Sequence, residues 1–371
     1  MRGMSQERLP ALDLLRFTVV VLVVLHHVAI SFMSFAPEWW YVVNQERSPV
    51  FLFEVILGDT FLMPAMFFAS GLVTRPSLER RPGGEFLRQR FWRIGLPWIL
   101  GTVLLAPILT YVGVRSRDVS SSFADALVVF WTRYYSQGPY WFLGVLFVFL
   151  TVSWFIHRLR RPVPRPTPSS QGLSWAALAV MILVPAAGFV AGRPFGGVLD
   201  WVNAGYVWCF QPVRIVGYAT YFAMGYVAAG RGWLSPIGAR PVLWRWAVAT
   251  LILSFAWVAI TAKMPFPKGM AQTAVYGLAH SVVALSWCML MLALAWMLSE
   301  RRLVPARNLT STSYGIYFVH LPICALVAMP IVQTTWSLAT KWLALSAVTL
   351  VLSLIATLVL RRAPLVRAVF R

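Results

Sequence analysis

The sequence predicts an all-α integral membrane protein with about ten transmembrane helices and both termini cytoplasmic, and three observations carry that prediction. Hydrophobic residues fill 59% of the 371 positions and charged residues only 12%, a balance far from that of soluble domains. The apolar residues are gathered into spans of about 20, the length that crosses a bilayer as a helix. Arginine and lysine concentrate in alternate loops between those spans, as the positive-inside rule requires. A net charge of +20 in a soluble chain would suit nucleic acid. Here the basic residues sit in short loops, where they set orientation and meet anionic lipid at the inner face, so no nucleic-acid partner is expected.

The spans cover 13–34, 51–73, 92–112, 139–157, 173–192, 211–230, 242–262, 274–298, 310–330 and 338–360. An even number returns both termini to one side. With that side inside, the basic clusters Arg75 to Arg93, Arg158 to Arg165, Arg231 to Arg245, Arg301 to Arg307 and Arg361 to Arg371 all lie on it. The first span has the basic start of a signal peptide, but Asp13, Arg16 and two histidines interrupt its apolar run, so it is kept as a transmembrane helix. The Pro-rich stretch 158–172 reads as an extended inner linker between the fourth and fifth helices of a single membrane domain, 1–371, with no soluble domain. Residues 122–131 are apolar but too short to span and are assigned to the outer interface. Cys209, Cys288 and Cys324 have no paired spacing, so neither a disulfide framework nor a metal site is expected.

At 100° per residue, Asp13, Arg16, Val20, Val23, His27 and Ser31 share one stripe of the first helix. Arg16 and His27 are three turns apart, roughly 16 Å along the axis. Ionisable groups inside a membrane are costly unless they face a bundle interior or a wet cavity, and by default they mark a functional path. The first helix therefore reads as one wall of a site, with Arg16 at its cytoplasmic mouth and His27 deep within, while His26 points elsewhere.

Other helices add candidates to that site. Arg90 and Arg93 share a face, with Arg88 flanking them, and guanidinium forks at a membrane surface suit phosphate oxygens. Glu54 in the second helix descends to a depth comparable with His27; it either orients the histidine, as carboxylates do in general-base pairs, or pairs with Arg214. Asp59 is less well placed. In the ninth helix Ser313, Tyr317 and His320 share a face, putting a second histidine in reach of the same cavity. Arg214, Tyr218 and Tyr221 line one face of the sixth, near its outer end, where a hydroxylated or acidic acceptor would meet them. His280 and His157 look ordinary.

Taken in order, these residues resemble the acyltransferase-3 family of integral-membrane acyltransferases. Arg16, ten residues and then His27, preceded by Asp13-Leu14-Leu15, is similar to the family's opening motif. Phe67-Phe68-Ala69-Ser70-Gly71 and Arg90-Phe91-Trp92-Arg93-Ile94-Gly95-Leu96-Pro97 are similar to its second and third motifs. Tyr140-Trp141-Phe142-Leu143, and Ser313-Tyr314 through His320-Leu321-Pro322, resemble later blocks. The resemblance spans essentially the whole chain. It implies transfer of an acyl group, acetyl or succinyl, from cytoplasmic acyl-CoA to a hydroxyl of an extracytoplasmic carbohydrate or related acceptor, across a bacterial cytoplasmic (inner) membrane. His27 would then lie in the catalytic centre and Arg16, Arg90 and Arg93 at the donor. Stretches 90–107 and 140–155 look most like the branch that succinylates periplasmic glucans. Many members carry an appended esterase-like domain that this sequence lacks, so acceptor specificity is expected from the outer loops or a partner.

The chemistry expected from this resemblance keeps the anionic phosphates of acyl-CoA at the cytoplasmic mouth, against Arg88, Arg90, Arg93 and Arg16, with the thioester near His27. His27 would act as general base, with Tyr317, His320 or Ser31 as donors to the oxyanion, and transfer is either direct or through a covalent acyl-enzyme. No metal or tightly bound cofactor is implied. A secondary transporter exporting a lipid-linked sugar or small anion is the rival reading, weakened because the two halves show no matched broken helices.

Overall fold

Among the described residues, ten long helices form where the apolar spans lie. The computed structural model describes residues 10–37, 39–81, 83–118, 121–159, 174–231, 239–303, 305 and 307–363. In chain order they are α1 (Pro10–Ile30), α2 (Pro49–Arg80), α3 (Glu85–Arg115), the short α4 (Phe123–Thr132), α5 (Trp141–Leu159) and α6 (Trp175–Gly192). A hairpin of β1 (Val202–Ala204) and β2 (Trp208–Phe210) precedes α7 (Pro212–Arg231), α8 (Ala239–Lys263), α9 (Gly269–Glu300), α10 (Ser313–Val332) and α11 (Leu338–Leu360). Among the described residues, nine of the long helices are also apolar enough to cross a membrane. The exception is α7, of similar length, whose apolar run is broken by Arg214 and by tyrosines and glycines. The chain is an all-α integral membrane protein, and among the described residues the only strands are those of the hairpin; strands of three residues are too short to show an alternating pattern in sequence. Most of the proposed linker, residues 160–172, lies outside the described residues, as do 232–238 and 364–371 of the basic clusters.

Local chemistry sets the helix ends. Ser48 accepts from the Val50 amide, with Pro49 at the first position of α2; Ser337 caps α11 in the same way. Ser122 and Asp125 form a reciprocal capping box that starts α4, the segment expected at the outer interface. Within α3, two stretches widen to π-helix, Phe91–Gly95 and Gly101–Leu105, and each is followed within two residues by a proline, Pro97 and Pro107. A proline lacks the amide that would close the preceding turn, and the wider turn absorbs the mismatch.

Lipid offers no hydrophobic drive between helices, so close packing must hold them together, and small residues allow it. The α2–α7 seam is the clearest case. A side chain at Gly71 would run into the Phe222 carbonyl and the Tyr226 amide, and one at Gly225 would meet the Phe68 carbonyl. The Phe67-to-Gly71 motif is thus a packing surface, and its Ser70 hydroxyl turns back onto the Met66 carbonyl at 2.8 Å. α1 packs against α2, α9, α10 and α11, with Val19, Val20, Val23, Val24 and Val28 buried. Large apolar side chains that stay exposed, such as Leu251, Ile252 and Phe255 of α8 and Val351, Ile355 and Val359 of α11, form the face that lipid would cover.

The α1–α2 loop folds back over the end of the bundle. Its backbone pairs Asn44 N with Ser31 O and Ser48 N with Phe32 O, both at 2.9 Å. Arg117 donates to the Trp40 carbonyl at 2.8 Å, Ser116 to the Tyr41 carbonyl at 2.7 Å, and the buried Lys341 ammonium to Asn44 Oδ1 at 3.1 Å. Cys209, in β2, is a free thiol whose burial pushes its pKa up to about 11, so it stays protonated at neutral pH.

Candidate active site

Because α1 packs on α10, the histidine on its stripe meets the histidine of the ninth predicted span. His27 Nδ1 lies 3.0 Å from His320 Nε2, with ring centroids 5.0 Å apart. His320 is fully buried, whereas His27 keeps part of its surface open. On its other nitrogen, Nδ1, His320 sits 2.6 Å from the Tyr317 carbonyl, one turn back on the same helix. The indole of Trp40 stacks on His27, and its Nε1–H donates to Ser31 Oγ at 3.0 Å. Trp40 was not foreseen: it lies in a loop, where no periodicity points a side chain at a site.

Two expected oxyanion donors are engaged elsewhere in this conformation. The Tyr317 hydroxyl donates to the Pro139 carbonyl, while the Tyr140 hydroxyl donates to the Phe318 carbonyl at 3.0 Å. Together these tyrosines lock α10 onto the start of α5. Ser31, 1% exposed, holds Trp40.

Glu54 requires correction. It neither reaches His27 nor pairs with Arg214, and its Oε2 is buried without a hydrogen-bond partner. The ion pair is formed one turn and a half further along α2: Arg214 Nη2 lies 2.5 Å from Asp59 Oδ2, and Nη1 donates to the Asp59 carbonyl at 3.3 Å. The residue judged less well placed is the one Arg214 takes. Nor does Arg214 join the histidine pair: with Tyr218, Tyr221 and His280 it lines a small pocket between α2, α6, α7 and α9. His26 faces that side, packed against Gly58 and within electrostatic reach of Asp59 and Arg214. The adjacent histidines of α1 therefore meet different neighbours, His26 the α2 backbone at Gly58 and His27 the rings of His320 and Trp40.

At the other end of the α1 stripe the arginines gather. Arg90 Nη2 donates to Ser77 Oγ at 2.8 Å, and Arg81 Nη1 donates to the same oxygen at 2.6 Å. The Arg90 guanidinium also lies over the Phe86 ring, within reach of the like charges of Arg16, Arg81 and Arg93. Arg16 donates to the Ala69 carbonyl at 3.4 Å, and the Arg93 carbonyl accepts from the Tyr314 hydroxyl at 2.7 Å. Among the described residues, Arg16, Arg81, Arg90 and Arg93 form no close ion pair with a carboxylate, and only Asp13, one turn back on α1, acts on Arg16 from further off, so the cluster stays net positive. Arg16, Arg90 and Arg93 are brought together as the sequence suggested; Arg81 joins them, and Arg88 stands apart on the exposed surface. The signal for Arg81 was its spacing from Ser77, i and i+4, which only matters once α2 is known to continue to Arg80.

The arrangement is thus a guanidinium-rich cluster at one end of α1, with Asp13 the one carboxylate acting on Arg16 among the described residues, and a histidine pair about three turns away. No curated protein matches the chain. A family model described as an acyltransferase domain matches residues 9–358, nearly its full length, and the chain belongs to the acyltransferase-3 family of membrane acyltransferases.

Proposed function

We propose that this multi-pass membrane acyltransferase moves an acetyl or succinyl group from acyl-CoA to a hydroxyl of a carbohydrate or related acceptor. Donor and acceptor would approach from opposite faces. The observation that carries the proposal is the shared helix: α1 presents Arg16 to the guanidinium cluster and His27 to His320. Acyl-CoA has matching chemistry, with anionic phosphates joined by a long, thin arm to a thioester. The phosphates would stay with Arg16, Arg81, Arg90 and Arg93, which form no close ion pair with a carboxylate among the described residues, and the thioester would reach the histidine pair.

In the transfer, His27 takes the proton of the acceptor hydroxyl as its oxygen attacks the thioester carbonyl. A C–O bond forms, the tetrahedral intermediate collapses with cleavage of the C–S bond, and the departing thiolate recovers the proton from His27. The products are the ester and free CoA, with no net proton change. This reading needs no resident metal or cofactor. It assigns the arginine-rich end, with both termini, to the cytoplasm and the Trp40 loop to the outer side of a bacterial inner membrane, with a periplasmic glucan as the acceptor the motif likeness favours. A relay through an acyl-serine at Ser31 is disfavoured because Ser31 is buried and its Oγ holds the Trp40 indole; direct transfer and an acyl-histidine stay open.

The test is transfer of radiolabel from acetyl-CoA or succinyl-CoA to membrane carbohydrate in vesicles carrying the protein. Label should appear with the wild type and vanish with His27→Ala at equal amounts of folded protein. Undiminished labelling by His27→Ala would overturn the assignment of the base. Movement of a lipid-linked sugar without acyl-CoA would favour the transporter reading.

A further inference from the structure

Resting on that reading of His27, we infer that His320 is the positioning residue that fixes which nitrogen of His27 acts as the base. The argument follows protons along a line of hydrogen bonds. A carbonyl oxygen only accepts, so the 2.6 Å contact between His320 Nδ1 and Tyr317 O requires a proton on His320 Nδ1. The Ile316 carbonyl is a further acceptor beside that ring, consistent with the same tautomer. With the ring neutral, His320 Nε2 is left with a lone pair and must accept. Its partner at 3.0 Å, His27 Nδ1, must then donate and so carries the proton of a neutral imidazole. His27 Nε2 is therefore the lone pair left for the acceptor hydroxyl.

The line is anchored at its far end. Tyr317, whose carbonyl begins it, has its own hydroxyl tied to Pro139, and the neighbouring Phe318 carbonyl is held by Tyr140. His320 itself is fully buried, so no water competes for either nitrogen. It touches neither substrate. When His27 takes a proton on Nε2, its Nδ1–H stays directed at His320 Nε2, which steadies the transient imidazolium without a buried carboxylate. This is the part a carboxylate plays in other general-base pairs, and the part Glu54 does not take here.

Two substitutions of similar size separate the halves of the line. In His320→Gln the side-chain oxygen reaches the position of Nε2 and can still accept from His27. In His320→Asn the amide reaches only the position of Nδ1, so it can donate to Tyr317 but leaves His27 without its acceptor. ¹⁵N NMR of histidine-labelled protein in bilayers, assigned by the resonances missing in His27→Gln, reads the tautomer directly. The expected result is a neutral His27 protonated on Nδ1 in the wild type and in His320→Gln, and a mixture of tautomers in His320→Asn. Transfer should follow: kcat within about tenfold of wild type for His320→Gln and reduced by about 10²-fold or more for His320→Asn, with the KM for acyl-CoA unchanged in both. A wild-type His27 protonated on Nε2, or an unchanged tautomer and kcat in His320→Asn, would overturn the inference. The tautomer is read without turnover. Its presence in a protein that transfers no acyl group would therefore reject the proposed function while leaving the positioning relationship standing.

Discussion

Trp40 lies flat against His27, their ring planes 2° apart and their centroids 5.9 Å from each other. The indole is 3% exposed and is held from three sides: Nε1–H on Ser31, the backbone carbonyl on Arg117, and the neighbouring Tyr41 carbonyl on Ser116. Contact on the face of the imidazole limits its rotation, while His320 holds its edge.

Removing the indole should loosen the base without removing it. Trp40→Ala is expected to lower kcat by roughly 10–100-fold, the cost of letting a catalytic group drift by about an ångström. Trp40→Phe keeps an aromatic face but loses the Ser31 bond and should cost less. Transfer rates normalised to folded protein by size-exclusion chromatography check the order; equal rates for Trp40→Ala and wild type would deny the indole any role.

The α2–α7 seam should be intolerant of even one methyl. Gly71→Ala and Gly225→Ala each drive a Cβ into facing backbone, which no rotamer can relieve. Each should destabilise the protein by about 1–3 kcal/mol or more. Thermal unfolding in detergent measures this, and unchanged transitions would contradict the close approach.

Carboxylates on one helix should separate cleanly. Asp59→Ala leaves Arg214, 3% exposed, without its carboxylate; because the Asp59 side chain is 40% exposed, the cost is discounted from that of a fully buried pair to about 1–3 kcal/mol. Adding Arg214→Met should recover much of that loss. Glu54→Gln, by contrast, breaks no pair and should leave both stability and transfer close to wild type.

At the donor end, Arg81→Ala should raise the KM for acyl-CoA by roughly tenfold, the loss of one charge-assisted contact, with kcat little changed. Arg88→Ala should change neither constant. A reversal of these two results would relocate the phosphate site onto the exposed surface of α3.

The helices and much of the candidate site were legible because both depend on periodicity. A polar residue every third or fourth position states its angle about its own axis, and so Arg16, His27 and His320 emerged on the right faces. What periodicity omits is which neighbour packs on that angle, and at what depth. Glu54 and Asp59 lie five residues apart on α2, and only the position of α7 decides that Arg214 meets the second. Tyr317 shares a face with His320, yet its hydroxyl reaches past the pocket to Pro139. Trp40 belongs to a loop whose course is set by Lys341, Arg117 and Ser116, distant in sequence and without a pattern that links them.

The central claim is that the guanidinium cluster holds the donor while His27 does the chemistry. The most direct test is equilibrium binding of CoA, acetyl-CoA and succinyl-CoA to the purified protein, comparing wild type with Arg90→Ala and His27→Ala. Binding that is lost with Arg90→Ala and retained with His27→Ala is the predicted result. Absence of binding by well-folded wild type, or equal binding by wild type and Arg90→Ala, would contradict it.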